Sequence, residues 1–410
     1  MSEPRAHDAH ASAVATAAEI LLVRYGELGL KGGNRSSFER ALVRNIRWAC
    51  EPISPVRVER RQGRLAVFPE RRVEALARRL QDVFGIASIS PAWGVPPDPD
   101  AIAQAARRVL EIALAGFPAG EPITFRVRSS RGDKDFPLTS SELDRFVADR
   151  ILGGDARIRV RLEDPALELG IDVRRERAYL FASRWKGPGG LPVGTLGRVL
   201  CLISGGIDSP VAAWLAMKRG CAVSFVTFHS FPFVGERAKK KVVDLVRVLA
   251  RFQSRNRLFV VPFAEIQAAV RDQAPESYRT VLYRRTMQRI ASRLAERDGA
   301  LALVTGECIG QVASQTLENL RCIGAAASIP VLRPLATYDK LETVELARRI
   351  GTFAISAVQE PDCCTVFMPS RPVIRGREEV CLEAESRIDV AALVERALEE
   401  VETFDLAAEA

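Results

Sequence analysis

The second half of the chain contains five almost wholly apolar segments separated by helix-like stretches, and this pattern restricts the fold more than any other feature. The segments are VLCLIS, AVSFVTF, RLFVVPF, LALVTGE and IPVLRPL, all after Arg198. Strands that are apolar on both faces and alternate with helices form parallel sheets covered by helices on both sides. We therefore predict that residues 198–410 form a doubly wound α/β domain with a parallel sheet and a C-terminal helix.

The first of these strands leads into the sequence SGGIDSP at positions 204–210. Its two glycines allow a tight turn, and we predict that Asp208 or Ser209 caps the helix that follows. Backbone amides in such a turn, together with the helix N-terminus, bind phosphate. The loop lacks the Gly-Lys-Ser/Thr ending of the common P-loop. It is therefore either a different kind of phosphate loop or an ordinary strand-to-helix turn.

The first half of the chain predicts two smaller α/β domains. Residues 19–90 show the order strand, helix, strand, strand, helix, which is typical of a ferredoxin-like domain. A second small α/β domain follows over residues 91–186, beginning at a Pro-rich boundary, and the Gly-rich stretch 187–197 reads as a linker. Residues 1–18 lack the pattern of a signal peptide, and we predict a disordered tail.

Charge and cysteine usage narrow the class of protein. Residues 1–190 hold 31 Lys and Arg against 25 Asp and Glu, so six of the eight net positive charges lie there. Arginine predominates and suits phosphate contacts, which favours a nucleic-acid partner over a merely solvated surface. No apolar run approaches the ~20 residues that cross a bilayer, so we expect no membrane partner and a cytoplasmic location. Eight cysteines without CxxC spacing indicate neither a structural zinc site nor a disulfide scaffold.

Several motifs resemble known families. The SGGIDS loop resembles the pyrophosphate loop of the PP-loop ATP pyrophosphatases, which split ATP between its α- and β-phosphates. Over about residues 19–376 the chain is similar to the tRNA 4-thiouridine synthetases. That resemblance implies a ferredoxin-like domain, a THUMP RNA-binding domain and a PP-loop domain. The segments that carry it are RYGELGLKGGNRSSFERALVRNI (24–46), LISGGIDSPVAAWLAMKRG (202–220), TFHSFPF (227–233), YRRTMQRIA (283–291), VTGECIGQVASQTLENL (304–320), RPLATYDK (333–340) and DCCTVFMPSRP (362–372).

The resemblance implies a site for ATP with Mg²⁺, and no further metal bound by the protein. The pyrophosphate loop would consist of Ser204, Gly205, Gly206, Asp208 and Ser209. The other ATP contacts would be Leu202, Ile203, Thr227, Phe228, Arg284, Gly306 and Gln315. Asp208 and Lys340 match family positions that matter for adenylation. Without the family, Lys340 would read as an ordinary solvated lysine at a helix start.

The implied reaction replaces O4 of a tRNA uridine near position 8 with sulfur from a cysteine persulfide. The family's sulfur-carrying cysteine aligns best with Cys364, with Cys363 as the fallback or a resolving thiol. A second thiol at Cys381 is less expected, because a cysteine in mid-helix is more often packed. Some members of the family carry a C-terminal rhodanese domain that relays sulfur. The 34 residues after Gly376 are too few for one, so sulfur is expected directly from a cysteine desulfurase or another persulfide donor. The expectation of a role in thiamine thiazole synthesis, which is associated with the rhodanese domain, is accordingly weaker.

The tRNA partner would be held mainly by the two N-terminal domains. Six basic residues in turns or at strand ends are candidate phosphate contacts, although each taken alone is more typical of a surface charge. They are Lys31, Arg35, Arg126, Arg128, Arg131 and Lys134. The resemblance also allows a homodimer. Two alternatives stay open at this stage: a PP-loop enzyme that adenylates another tRNA base, and a non-catalytic RNA-binding protein.

Overall fold

A computed structural model describes residues 6–30, 32–61, 63–152, 157–360, 363 and 366–407 of the protein. The chain divides into two compact units, Met1–Leu191 and Pro192–Ala410. The division falls within the Gly-rich stretch that the sequence marks as a linker.

The first unit opens with a ferredoxin-like arrangement, as predicted. Strand β1 pairs antiparallel with both β3 and β4, and β2 forms a hairpin with β3. Helices α2 and α3 cover one face of these strands, with Leu42, Ile46 and Leu76 in the core. The elements are α1 (Ala6–Ala17), β1 (Ile20–Arg24), α2 (Arg35–Cys50), β2 (Val56–Arg61), β3 (Arg64–Pro69), α3 (Val73–Leu80) and β4 (Ser88–Val95).

The same sheet continues into the second small domain through β4. Its elements are α4 (Pro99–Leu114), β5 (Ile123–Arg131), α5 (Ser140–Ile151), β6 (Ile158–Val160), β7 (Leu167–Val173), β8 (Ala178–Phe181) and β9 (Trp185–Lys186). The strand order is β2-β3-β1-β4-β8-β7-β5-β6, with β9 also paired to β4. Helix α5 starts with a capping box, in which Thr139 and Glu142 bond each other's backbone amides.

The N-terminal segment differs from the predicted disordered tail over residues 6–17, which form α1. Val14 and Ala15 on this helix are fully buried, and Val14 packs into the apolar cluster that contains α4. The Ser12 hydroxyl also donates a hydrogen bond to Glu74 of α3 at 2.8 Å. The segment is rich in alanine, a strong helix former, and its few apolar side chains suffice to dock it.

The second unit contains the predicted doubly wound sheet. Its strand order is β14-β13-β10-β11-β12-β15, and all pairs are parallel except β12 with β15. The elements are β10 (Arg198–Leu202), α6 (Asp208–Lys218), β11 (Ala222–His229), α7 (Glu236–Leu249), β12 (Arg257–Pro262), α8 (Ala264–Gln273), α9 (Arg279–Asp298), β13 (Leu303–Val304), α10 (Leu317–Gly324), β14 (Val331–Leu332), α11 (Lys340–Ile350), α12 (Phe353–Ser356), α13 (Glu378–Glu385), α14 (Val390–Glu399) and β15 (Glu402–Asp405).

The C-terminal segment departs from the helix that the sequence predicts for it. Helix α14 ends at Glu399, and residues 402–405 form the edge strand β15 against β12. Thr403 and Phe404 favour an extended backbone, and the strand covers an otherwise open edge of the sheet.

Candidate active site

The loop between β10 and α6 is shaped by its own serines. Helix α6 begins at Asp208 without a side-chain cap, so the prediction that Asp208 or Ser209 caps it is wrong. Because Ser209 already lies in the first turn, its hydroxyl reaches back and accepts the Ser204 amide at 2.9 Å. The Ser204 hydroxyl in turn accepts the Gly206 amide at 3.3 Å. The first-turn amides of α6 keep no intrahelical acceptor, which leaves them available to an anion.

The residues predicted to contact ATP surround one cavity of about 290 Å³ at the carboxyl edge of the parallel sheet, called here the first cavity. Eleven of the twelve line it: Leu202, Ile203, Ser204, Gly206, Asp208, Ser209, Thr227, Phe228, Arg284, Gly306 and Gln315. The twelfth, Gly205, lines a neighbouring cavity of about 330 Å³, called the second cavity. The lining also includes Cys363, the fallback thiol of the sequence prediction, and residues that the sequence did not suggest: Met287, Gln288, Thr305 and Glu307.

Gly306 is required by a close backbone approach. A Cβ atom at this position would lie 2.6 Å from the Ser209 amide nitrogen and 2.7 Å from the Asp208 carbonyl carbon. The segment after β13 therefore lies directly against the first turn of α6. Gln315 fixes the same segment, because its Oε1 accepts the Cys308 amide at 3.3 Å.

An ion pair joins two residues that the sequence singled out. The Asp208 carboxylate lies 2.7 Å from Lys340 Nζ and accepts a second hydrogen bond from Gln311 at 2.9 Å. Helix α11 presents Lys340 at its first position, where Asp339 caps the helix and Glu342 completes a capping box. The arrangement places a carboxylate and an ammonium group beside the amides of the loop.

Glu307 forms a second charged cluster in the first cavity. Its carboxylate pairs with Arg284 at 3.1 Å and Arg333 at 2.8 Å, and it accepts a hydrogen bond from Thr305 at 2.9 Å. The Glu307 side chain is only 8% exposed, so the two arginines balance an otherwise costly buried charge. An acid directly after a glycine at a strand end was the signal in the sequence that could have suggested it.

The cysteines differ sharply in their surroundings. Cys363 is buried, its Sγ accepts a hydrogen bond from Ser230 at 3.0 Å, and it borders both cavities. Gln267 donates to its carbonyl at 2.7 Å. Cys364 lies outside the described residues, so its predicted role stays a prediction. Cys381 is fully buried, and burial raises the pKa of its thiol to about 12, which disfavours a reactive thiolate.

The predicted RNA contacts fall into distinct groups. Lys31 lies outside the described residues. Arg35 pairs with Glu39 at 2.8 Å and donates to Tyr25 at 2.7 Å, while Arg126 is bound to the Glu168 carboxylate. Both guanidinium groups thus already have partners within the first unit.

The other predicted RNA contacts on the first unit differ in their partners and in their exposure. Arg131 donates to the Phe136 carbonyl at 3.0 Å. Arg128 lies 3.9 Å from the Glu168 carboxylate with its side chain 67% exposed, and Lys134 is exposed. Arg128 and Lys134 are therefore the better placed of the predicted set for phosphate contacts.

Within the described ranges, no three His, Cys, Asp or Glu side chains cluster in a way that could hold a metal ion. Among the helices that the structure describes, none has the length and apolar character needed to cross a membrane.

Comparison with protein families matches the chain in three parts. Residues 20–90 match the ferredoxin-like domain of the thiamine biosynthesis protein family ThiI, and residues 97–182 match the THUMP domain. Residues 194–390 match the family described as thiamine biosynthesis protein (ThiI). The order agrees with the three-domain architecture of the sequence prediction.

Individual relatives extend over nearly the whole chain. A protein of Brevibacillus brevis named "Probable tRNA sulfurtransferase" is 44% identical over 389 residues, 95% of this chain and 96% of its own length. One of the same name from Halothermothrix orenii is 41% identical, covering 95% of this chain and 99% of its own length. Among solved structures, a 4-thiouridine synthetase–RNA complex with bound ATP matches with a TM-score of 0.87 and 38% identity, over 95% of this chain and all of that one.

Proposed function

This chain belongs to the tRNA sulfurtransferase family and catalyses ATP-dependent tRNA thiolation, and we propose that it converts a uridine near position 8 to 4-thiouridine through an adenylated intermediate and a cysteine persulfide. The observation that carries the proposal is the first cavity. It gathers eleven predicted ATP contacts from five separate stretches of sequence beside the Asp208–Lys340 pair.

The lining of the first cavity fits ATP. The apolar side chains of Leu202, Phe228 and Met287 would pack on the adenine, and the amides of the loop and of the first turn of α6 would hold the phosphates. The close approach of Gly306 leaves no room for a side chain where α6 begins. Loss of the P-loop lysine is consistent with this use, because here the β,γ-phosphate unit is a leaving group.

The carboxylate of Asp208 is the described group best suited to hold Mg²⁺ with the phosphates, since Mg²⁺ prefers carboxylate and phosphate oxygens. Bound Mg²⁺ would neutralise negative charge on the pyrophosphate unit. Lys340, released from its contact with Asp208, would then stabilise charge that develops near the α-phosphorus.

We propose two chemical steps. In the first, uracil O4 attacks the α-phosphorus of ATP, pyrophosphate leaves, and the uridine becomes O4-adenylated. In the second, the terminal sulfur of a Cys364 persulfide attacks C4, and AMP leaves with the former O4. The resulting C4–S–S–Cys364 disulfide is opened when a thiolate attacks the Cys364 sulfur, which releases 4-thiouridine and leaves a protein disulfide or mixed disulfide for an external thiol to reduce.

The opening thiolate is either Cys363 or an external thiol. A disulfide between adjacent cysteines is strained, which favours an external thiol. The buried, hydrogen-bonded state of Cys363 also favours an external thiol. Cys381 is set aside because its thiol is fully buried.

The partners follow from this chemistry. The tRNA substrate would be held by the first unit, and a cysteine desulfurase or another persulfide donor would load Cys364. We place the enzyme in the cytoplasm with its tRNA substrate. A homodimer is testable by light scattering of the purified protein with and without tRNA.

The direct test is thiolation in vitro. Purified protein, unmodified tRNA, Mg·ATP and a persulfide donor should give 4-thiouridine, measured by near-ultraviolet absorbance and by mass spectrometry of the digested tRNA. Omission of ATP or the donor should abolish it. Formation of a different thiolated base would overturn the assignment of the target, and tRNA binding without any modification would favour a non-catalytic role.

A further inference from the structure

The second cavity adjoins the first, and of the predicted ATP contacts Gly205 lines only the second. It lies between the β10–α6 loop, helix α7 and residues 356–360. The two cavities share the lining residues Ser204, Gly206, Thr227, Phe228 and Cys363. A molecule in the second cavity would therefore lie next to the phosphates of ATP bound in the first.

Hydrogen bonds fix one wall of the second cavity against the loop. The Ser356 hydroxyl donates to the Gly206 carbonyl at 3.2 Å. Lys241 on α7 donates to the carbonyls of Ser356 at 3.0 Å and Val358 at 2.6 Å. These hydrogen bonds hold the loop, the helix and the wall together around the cavity.

The lining suits a flat base with a polar edge. Val234, Ala238 and Val242 supply an apolar side, and Phe228 supplies an aromatic face. The Gln359 side chain offers amide donors and an acceptor, which match the imide edge of uracil. A volume of about 330 Å³ leaves room for a base with part of its sugar.

Two exposed aromatic side chains lie on a segment next to the second cavity. His229 and Val234 both line the cavity, so the segment between them runs along its edge. On this segment Phe231 is 63% exposed and Phe233 is 47% exposed. Proteins that bind single-stranded nucleic acid use exposed aromatic rings to stack unpaired bases.

We propose that the second cavity receives the target uridine after it has left the tRNA stack, and that Phe231 next to the cavity stacks on an adjacent base. The inference rests on the proposed function, because it supplies the second substrate of that reaction. It places the uracil between the ATP phosphates and the segment that contains Cys363. A base must be extruded before an enzyme can act on its ring atoms, and an extruded base needs a preformed pocket.

The test fills the cavity without changing its charge. Ala238→Phe should lower the rate of thiolation at saturating tRNA by about 100-fold, because a displaced base cannot reach the phosphorus. ATP affinity, measured by equilibrium dialysis, should stay within about twofold, since Ala238 does not line the first cavity. Ala391→Phe, on the exposed side of α14, is the matched control and should keep wild-type activity. Full activity of Ala238→Phe would overturn the inference.

A second variant changes an exposed residue, so its folding does not depend on packing in the core. Phe231→Ala should reduce kcat/KM for tRNA by about 10-fold while the KM for ATP is unchanged, and the exposed control Leu382→Ala should change neither. An unchanged kcat/KM in Phe231→Ala would contradict the stacking role.

Photocrosslinking tests directly where the target base binds. Because 4-thiouridine is itself photoreactive in near-ultraviolet light, tRNA synthesised with it at the target position should crosslink to residues 228–242. Crosslinks confined to the first unit would overturn the assignment of the cavity. This measurement needs no turnover. If wild-type protein makes no 4-thiouridine, the proposed function fails, while the crosslink still reports where the base binds.

Discussion

The Asp208 carboxylate lies 2.7 Å from Lys340 Nζ, although 132 positions separate them in the chain. Gln311 donates to the other carboxylate oxygen at 2.9 Å. The pair is neutral as a unit and stands beside the amides at the start of α6. Binding of an anionic substrate would favour its separation, because the substrate supplies negative charge that Lys340 can face instead.

Lys340→Met should therefore impair chemistry more than binding. We expect kcat to fall by about 100-fold or more, in the range seen when one group that stabilises transition-state charge is removed. The KM for ATP should change far less. The control is Lys240→Met, on the exposed side of α7. A loss that appears only in KM would show that Lys340 binds the ground state rather than the transition state.

Gly306→Ala should damage the ATP site through backbone displacement. Its Cβ would lie 2.6 Å from the Ser209 amide nitrogen, so the segment after β13 or the start of α6 must shift. We expect a higher KM for ATP and a loss of about 1–3 kcal/mol in the free energy of unfolding. Gly235→Ala, where a Cβ meets open space, is the control in steady-state kinetics and urea unfolding. Equal effects of the two changes would contradict the steric argument.

Arg128 and Arg126 of the first unit should behave differently toward tRNA. Arg128→Ala should weaken tRNA binding and reduce the slope of log affinity against log salt by about 1, as expected for one lost phosphate contact. Arg126→Ala, two residues away on β5, should alter affinity much less, because Glu168 binds that guanidinium closely, whereas the more exposed Arg128 lies 3.9 Å from the same carboxylate. Filter binding over a salt series distinguishes them. A larger loss in Arg126→Ala would reverse this assignment.

The stability of the second unit should depend on Glu385. Burial opposes its ionisation, but hydrogen bonds from Arg285 and Arg289 outweigh burial and hold the pKa of the carboxyl below its usual range. Glu385→Gln leaves the buried Arg285 without its counter-charge and should cost about 3–5 kcal/mol. The exposed Glu383→Gln is the control in thermal unfolding.

The pH dependence follows from the sign of that shift. Because the folded pKa of Glu385 is lowered, its contribution is fully present above the unfolded value of about 4.3 and is lost as pH falls through the folded pKa. The difference in unfolding free energy between wild type and Glu385→Gln should therefore shrink on acidification below that pH. A difference that grows in acid would contradict the assignment.

The parallel sheet and the loop could be predicted from the sequence because both depend on local patterns of residues. Apolar strands followed by helices set the topology, and the Gly-Gly turn required a specific backbone path. Leu202, Phe228 and Arg284 could be gathered into one cavity only through the family resemblance, since they lie on β10, β11 and α9.

Other features depended on tertiary contacts that no local pattern records. Helix α1 has few apolar residues, and its order rests on packing near α4. The Glu307 cluster joins three segments through charge, and β15 exists because β12 offers an open edge. The prediction that Asp208 or Ser209 caps α6 failed for a similar reason, because the Ser209 hydroxyl accepts a hydrogen bond from the loop and not from the helix.

The two neighbouring cysteines, Cys363 and Cys364, should have different functions. Cys364→Ser should abolish thiolation while ATP binding is kept, because only the sulfur-carrying group is lost. Cys363→Ser should retain activity if an external thiol opens the disulfide, and should stop after one turnover or fewer if Cys363 does so. Thiolation and ATP affinity, measured on the same preparations, provide the comparison. Unchanged 4-thiouridine formation by Cys364→Ser would refute its role.

The central claim is that ATP activates the uridine oxygen that sulfur replaces. The most direct measurement uses tRNA whose target uridine carries a heavy oxygen isotope at O4, incubated with the enzyme, Mg·ATP and a persulfide donor. Mass spectrometry should find one heavy oxygen in AMP for each 4-thiouridine formed, because O4 leaves on the α-phosphorus. Formation of 4-thiouridine with unlabelled AMP, and the label in pyrophosphate or water, would contradict the account.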